Sequence, residues 1–286
     1  MLFQKQHNKS IIGIDIDTHS IKLVELQHNN KDQTMLIAYG SISRPAQVSD
    51  VTRAIFHILN TPQYGKFTAK TLHILDTSTP SESHTNHTTA VQQNLKNRGF
   101  RIEPITNQKI VLQMSCIAPN DKLPIALVDL NGTDTHIHLI GLDQPTMHFE
   151  IDTEESLHAL ASKLEVSKDQ IWQILQKVGL SDTDLSTELR SYLKPLLEDL
   201  CEKLNSNISS LNEILSLTNK KPIQKIILSG ELASTKGLCS YLANRVPYQF
   251  EVINPWQNSN IYPLKPMPRH HLPTYAKAIC LATQLS

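Results

Sequence analysis

The sequence predicts an α/β chain built as two similar halves that face a cleft. Three observations carry this expectation. A run of three strands followed by a helix occurs twice, once from residue 11 and again from residue 124. Each copy has an aspartate near the end of its first strand, Asp15 in "IIGIDI" and Asp129 in "IALVDL". With 286 residues, the chain has room for two packed halves, each with its own core.

The elements follow in order. Residues 11–17 alternate like a strand, and 21–28 repeat the pattern after the turn Thr18-His19-Ser20. "QTMLIAYGSISRP" (33–45) supplies a third strand. "AQVSDVTRAIFHILN" (46–60) places Val48, Val51, Ile55, Ile58 and Leu59 on one helical face. "AKTLHILD" (69–76) is a fourth strand, and "TSTPSESHTNHT" (77–88) is a polar linker. A helix over about 89–98 ends at Gly99, a natural C-cap, and "FRIEPI" follows as a short strand.

After Pro119-Asn120-Asp121 the pattern restarts. "PIALVDLNGTDTHIHLIGLDQPTMHFEI" (124–151) is a second meander, turning at Asn131-Gly132 and again at Asp143-Gln144-Pro145. Helices are expected at about 153–165 and 168–179. A long helical run from about 184 to 218 carries leucines every three or four residues, and Pro195 should kink or split it. "IQKIILSG" (223–230) is a buried strand, followed by a helix through "SYLANRV", the strand "YQFEVINP" and a closing helix within 272–284.

Composition narrows the function. The 27 basic and 27 acidic residues cancel, so no electrostatic footprint marks a nucleic-acid binder. No apolar run approaches the roughly 18 residues needed to cross a bilayer. Met1 to Ser10 is polar and too short for a secretory signal. Cys116, Cys201, Cys239 and Cys280 stand singly, as reduced thiols do in a cytosolic chain.

An aspartate in an apolar strand must find a partner, because burying it alone is unfavourable. Asp15 and Asp129 read either as ligands to metal-bound water or as groups solvated at strand ends. Asp17 reads as a turn or N-cap residue, and Lys22 as a lysine snorkelling from an edge strand. His136, His138 and His148 sit where a zinc site could form, although 13 histidines make such groupings common. The leucine row is one stripe of a core helix or a partner-binding face. No Ser-His-Asp or Cys-His set stands at a recognisable spacing.

Five motifs then point the same way. "IIGIDIDTHSIKLVEL" resembles the opening of the type IV pilus assembly protein PilM family, whose members have the actin-like ATPase (ribonuclease H-like) fold related to FtsA. "ALVDLNGTDTHIHLI" resembles that family's second phosphate hairpin. "IILSGELASTKGLCSYLANRV" resembles its adenosine-covering strand-loop-helix. "FEVINPW" and "LPTYAKAICLATQ" are similar to the segments that close the fold. The resemblance divides the chain into a flexible tail (1–10), subdomain I (11–122 with 271–286) and subdomain II (123–270).

By this resemblance the nucleotide-facing positions are Asp15, Asp17, Thr18, Ser20, Lys22, Asp129, Asn131, Gly132, Thr133, Gly230 and Glu231. Three of them depart from the family pattern. Asp17 and Asn131 stand where the family has glycine, and Gly230-Glu231 replaces a double glycine. A carboxylate fixed about 4 Å from a phosphate costs roughly 1 to 4 kcal/mol. ATP with magnesium is therefore expected to bind weakly or not at all, with no catalytic residue and no resident metal.

The family's extra subdomain, inserted between the strand like 69–76 and the helix that follows, is reduced here to the linker near 77–88. The resemblance implies a cytoplasmic scaffold of a type IV pilus, or of an MSHA-pilus or type II secretion system with MshI- or GspL-like members. It would dock on the cytoplasmic N-terminal tail of a PilN-like inner-membrane protein, meet other pilus assembly proteins, and reach the membrane only through a partner. The alternatives are an ATP-binding protein of the same fold, whose partner binding depends on nucleotide, and a two-metal nuclease of the ribonuclease H type.

Overall fold

The computed structural model describes residues 9–17, 19–28, 33–45, 47–76, 83–104, 124–131, 134–140, 148–152, 154–167, 170–171, 174–175, 179–180, 187–256 and 267–283. Contacts divide the chain into two units. One comprises 1–119, 254–269 and 275–286, and the other 120–253 with 270–274.

In the first unit, β1 (Lys9–Ile16), β2 (Ser20–His28) and β3 (Thr34–Ser43) form an antiparallel meander. The helix α1 (Val48–Asn60) and the short β4 (Tyr64–Gly65) follow. Next come β5 (Thr71–Asp76), α2 (Ser83–Asn97) and β6 (Arg101–Pro104). The sheet order is β4-β3-β2-β1-β5-β6, with β5 and β6 parallel to β1. The second unit repeats the plan with β7 (Ile125–Asn131), β8 (Asp134–Ile140), β9 (His148–Asp152), β10 (Lys225–Ser229) and β11 (Gln249–Val252). Its order is β11-β10-β7-β8-β9, the same meander followed by two parallel strands. Its helices are α3 (Glu154–Leu164), α4 (Thr187–Leu217) and α5 (Leu238–Ala243), and α6 (Leu272–Thr283) closes the chain.

Strand β1 shows how the apolar pattern becomes a core. It lies between β2 and β5, so neither edge is free, and both of its faces are covered. Ile12, Ile14 and Ile16 pack with Val51, Ile55 and Leu95. The opposite face meets α6 at Gly13, where a Cβ would lie 2.8 Å from the Ala282 nitrogen and 2.9 Å from the Leu281 Cβ. Only a bare backbone fits there. By the period of two, Asp15 shares this face with Gly13. The carbonyls at the C-terminus of α6 have no helical partner. His73 Nδ1 donates to the Leu281 carbonyl at 2.9 Å and His28 Nε2 to the Ala282 carbonyl at 3.0 Å, so two strands cap the helix.

Two expectations are corrected. Pro195 does not split the long helix, because α4 runs unbroken past it. Leu193, Leu196, Leu197 and Leu200 around it are at most 6% exposed, and their burial outweighs the roughly 3 kcal/mol of an interior proline. The helix expected from about 89 begins at Ser83, so only residues 77–82 separate it from β5. The strand β4 had no periodic signal, and it is held by Tyr64 stacking on Tyr39 at 5.5 Å. Most of the helix expected at 168–179 lies outside the described residues, as does Trp172. The leucine row is a core stripe from Leu193 to Leu215.

Candidate functional site

The four-residue turn between Ile16 and Ile21 gathers most of the predicted positions of the first unit. Asp15 pairs directly across the sheet with Lys22, so both side chains lie on the face that meets α6. Asp17 follows at the strand end. Its Oδ1 accepts the N–H groups of His19 at 2.8 Å and Ser20 at 2.6 Å. The Ser20 hydroxyl lies 3.1 and 3.0 Å from its two oxygens. The Lys22 ammonium donates to Asp17 Oδ2 and sits 3.9 Å from Asp15 Oδ2. Just after β3, Arg44 Nη1 donates to the Asp17 carbonyl at 3.1 Å. Thr18 lies outside the described residues.

This geometry corrects several sequence-level readings. Asp15 and Asp129, 1% and 0% exposed, are not solvated. Lys22 does not snorkel from an edge: β2 is an inner strand, and the residue is 1% exposed. Asp17 does hold the turn, but from a buried position beside Lys22 and Asp15. Burial alone would push its carboxyl up. The charges of Lys22 and Lys277, the Lys22 hydrogen bond and the Ser20 N–H together outweigh burial and hold it well below its ordinary value of 3.8. Asp15, Asp17, Lys22 and Lys277 are all nearly inaccessible.

In the second unit the β7–β8 register repeats the first, because Asp129 pairs with His136 as Asp15 pairs with Lys22. Asn131 is 6% exposed, and its amide donates to Asp129 Oδ2 at 2.7 Å. Gly132 and Thr133 lie outside the described residues. Beside this strand end, Gly230 leaves β10 with φ +89. A Cβ on it would lie 2.5 Å from the Leu130 carbonyl oxygen and 2.6 Å from Asn131 Oδ1. This glycine is required by close packing against β7. Its N–H points to the Pro273 carbonyl at 3.3 Å. Glu231 precedes the 3₁₀ turn Leu232–Ser234, and its carbonyl accepts the Ser234 hydroxyl at 2.6 Å.

A phosphate placed at the first turn therefore meets a carboxylate that already engages the local donors, and at the second strand end it meets the Asn131 side chain. At the first turn the described amides, those of His19 and Ser20, are engaged by Asp17. Among the described residues, no three His, Cys, Asp or Glu groups converge to hold a metal, and the His148 side chain lies outside them.

Two contributors were missed in the sequence. Lys277 stands alone in "YAKAICLA", and a lysine in a helix apolar on every side must be buried and paired, which was the available signal. Glu25 is 0% exposed and accepts from the Ser10 hydroxyl at 2.6 Å and from the Thr68 N–H at 2.6 Å. It thereby ties the segment before β5 to β2. No periodic pattern predicts it.

No family model matches the chain, and no curated protein is similar to it in sequence. Solved structures are similar in fold. A chain of the PilM-PilN type IV pilus biogenesis complex aligns with TM-score 0.62 at 14% identity, covering 95% of this chain and 97% of that one. The ethanolamine utilization protein EutJ from Carboxydothermus hydrogenoformans aligns at 0.60 and 11% identity, over 96% and 89% of the two chains. MreB5 of Spiroplasma citri, bound to ADP, aligns at 0.55 and 12% identity, over 88% and 94%. The chain has the actin-like ATPase fold, and the motif resemblance to PilM is matched by similarity in structure.

Proposed function

We propose that this actin-like chain is a non-hydrolysing scaffold of a type IV pilus or related assembly machine, docking on the cytoplasmic tail of a PilN-like inner-membrane protein. One observation carries the non-hydrolysing part: the donors of the first hairpin turn converge on the chain's own Asp17. The fold supports the scaffold part, since it matches a component of the PilM-PilN complex over nearly the whole chain. No helix among the described residues is long and apolar enough to cross a membrane, in keeping with recruitment to the inner membrane through a partner.

The docking mode differs from the one the family resemblance implies. In that resemblance a subdomain inserted between β5 and α2 helps form the partner groove, and here residues 77–82 alone connect the two elements. The tail therefore docks on another surface. Calorimetric titration tests both parts of the proposal. Mg-ATP is expected to give no heat, while the cytoplasmic tail peptide of a membrane protein encoded beside this chain is expected to bind. Micromolar Mg-ATP affinity would instead establish an ATP-binding protein whose partner binding depends on nucleotide, a reading favoured by the placement of Asp15 and Asp129 at equivalent register positions.

A further inference from the structure

We infer that the surface where α1, the segment before β5 and the C-terminal end of α2 meet is a direct contact for an anionic lipid surface. The chain is neutral as a whole, but its charges are sorted. The first unit holds 15 of the 27 basic residues and 8 of the 27 acidic ones, and the second holds 12 and 19. The excess is concentrated. Between Val51 and Leu75 the chain carries Arg53, Lys66 and Lys70 and no carboxylate. Between Ser83 and Ile102 it carries Lys96, Arg98 and Arg101, again with no carboxylate. The fold brings these two segments together, because α1 packs beside α2.

Phe56 of α1 and Phe100, just after α2, lie 6.2 Å apart. The Arg98 guanidinium stands 4.5 Å over the Phe56 ring, and the Lys70 ammonium 4.7 Å over the Phe100 ring. The Arg101 N–H donates to the Lys70 carbonyl at 2.8 Å, which fixes the two segments side by side. Lys70, Lys96, Arg98 and Arg101 are exposed. Glu103 pairs with Arg101 at 3.0 Å and Asp50 with Arg53 at 2.8 Å, whereas Lys70, Lys96 and Arg98 have no carboxylate partner among the described residues. An acidic peptide that also docks apolar side chains would find both rings already covered by cations. A plane of anionic headgroups needs only the charge, carried on long stems over aromatic ground. If these cations only balanced the carbonyl end of α2, their role would be complete within the fold, and vesicle binding would not depend on them.

This contact goes beyond the proposed docking on a membrane-protein tail. Its test uses neither tail peptide nor nucleotide, so either idea can fail without the other. The full-length chain would be titrated with vesicles of phosphatidylcholine alone, or of phosphatidylcholine and phosphatidylglycerol in equal parts, and the bound fraction read by sedimentation. Binding is expected on the anionic vesicles at about 0.05 M salt, with loss at about 0.5 M and none on the neutral vesicles. Each cation near such a surface is worth about fivefold, so Lys70→Gln/Lys96→Gln/Arg98→Gln should weaken binding by about tenfold or more. Lys194→Gln/Lys220→Gln/Lys221→Gln removes equal charge from exposed positions of the second unit and is expected to change binding by less than about twofold. Circular dichroism checks the fold of both. If the first triple variant is unfolded, Lys96→Glu alone, at an exposed position, is expected to show a loss of several-fold. No binding of the natural chain to anionic vesicles at low salt, equal binding to neutral ones, or equal losses in the two sets of variants overturns the inference. So does a Glu-rich peptide that binds through these cations when vesicles do not, which would make the face a protein-docking surface.

Discussion

The Asn131 amide donates a 2.7 Å hydrogen bond to the Asp129 carboxylate two residues back along β7, at a strand end where both side chains are buried. This contact gives the residue that replaces a family glycine a structural role. Asn131→Ala removes a bond to a buried carboxyl group and is expected to destabilise the chain by about 1 to 3 kcal/mol. The shift of the urea midpoint at unchanged slope measures it.

Lys22 holds the first hairpin together electrostatically. Lys22→Met leaves Asp17 buried without its nearest cation, and breaking such a pair from one side costs about 3 to 5 kcal/mol. Adding Asp17→Asn to Lys22→Met should recover part of that loss, a coupling that a double-mutant cycle reads directly.

Asp17 also sets a response to acid. Burial raises its carboxyl, but Lys22, Lys277 and the hydrogen bonds lower it further, so the folded value lies below the ordinary 3.8. Its contribution to stability is thus present above that value and is lost as pH falls below it toward the folded one. The natural chain is expected to lose stability over this range more steeply than Asp17→Asn does, as seen in urea midpoints measured down the acid limb.

His28 responds to pH in a different window. Burial lowers its ring below the ordinary 6.5; the Ala282 carbonyl opposes this, and Lys9 and His73 add smaller contributions that reinforce it. As pH drops through 6.5, the unfolded chain takes up a proton that the native ring resists, so stability falls until the lowered native value is passed. His28→Gln is expected to flatten the stability profile from neutral to mildly acidic pH relative to the natural chain. Thermal melts across that range supply the comparison.

Gly230 provides a steric test. At φ +89 any side chain is in a left-handed backbone, which alone costs about 1 to 2 kcal/mol. The clash with the Leu130 carbonyl and Asn131 Oδ1 adds to it. Gly230→Ala should therefore lower Tm by several degrees. Gly99→Ala shares a positive φ but has nothing within 4 Å, so its penalty should be smaller.

Much of this was legible in the sequence. Period-two and period-3.6 patterns are local properties of the backbone, so the duplicated meander, the core leucine stripe and the aspartates at matching strand ends could be read directly from residues such as Ile12, Leu204, Asp15 and Asp129. The replacement of glycine by Asp17 was visible as added charge at a turn. Which partners would neutralise that charge was not visible. Lys22 pairs with Asp15 only through the hairpin register, and the charge of Lys277 acts on Asp17 because α6 packs where Gly13 lets two backbones approach. The contact between His73 and Leu281 spans 208 residues. No local pattern encodes such pairings, because they depend on which faces close against each other when the chain collapses. The sequence determined that carboxylates would stand at these turns, and only the tertiary structure decided that one of them would be buried, paired and bonded to the amides of its own loop.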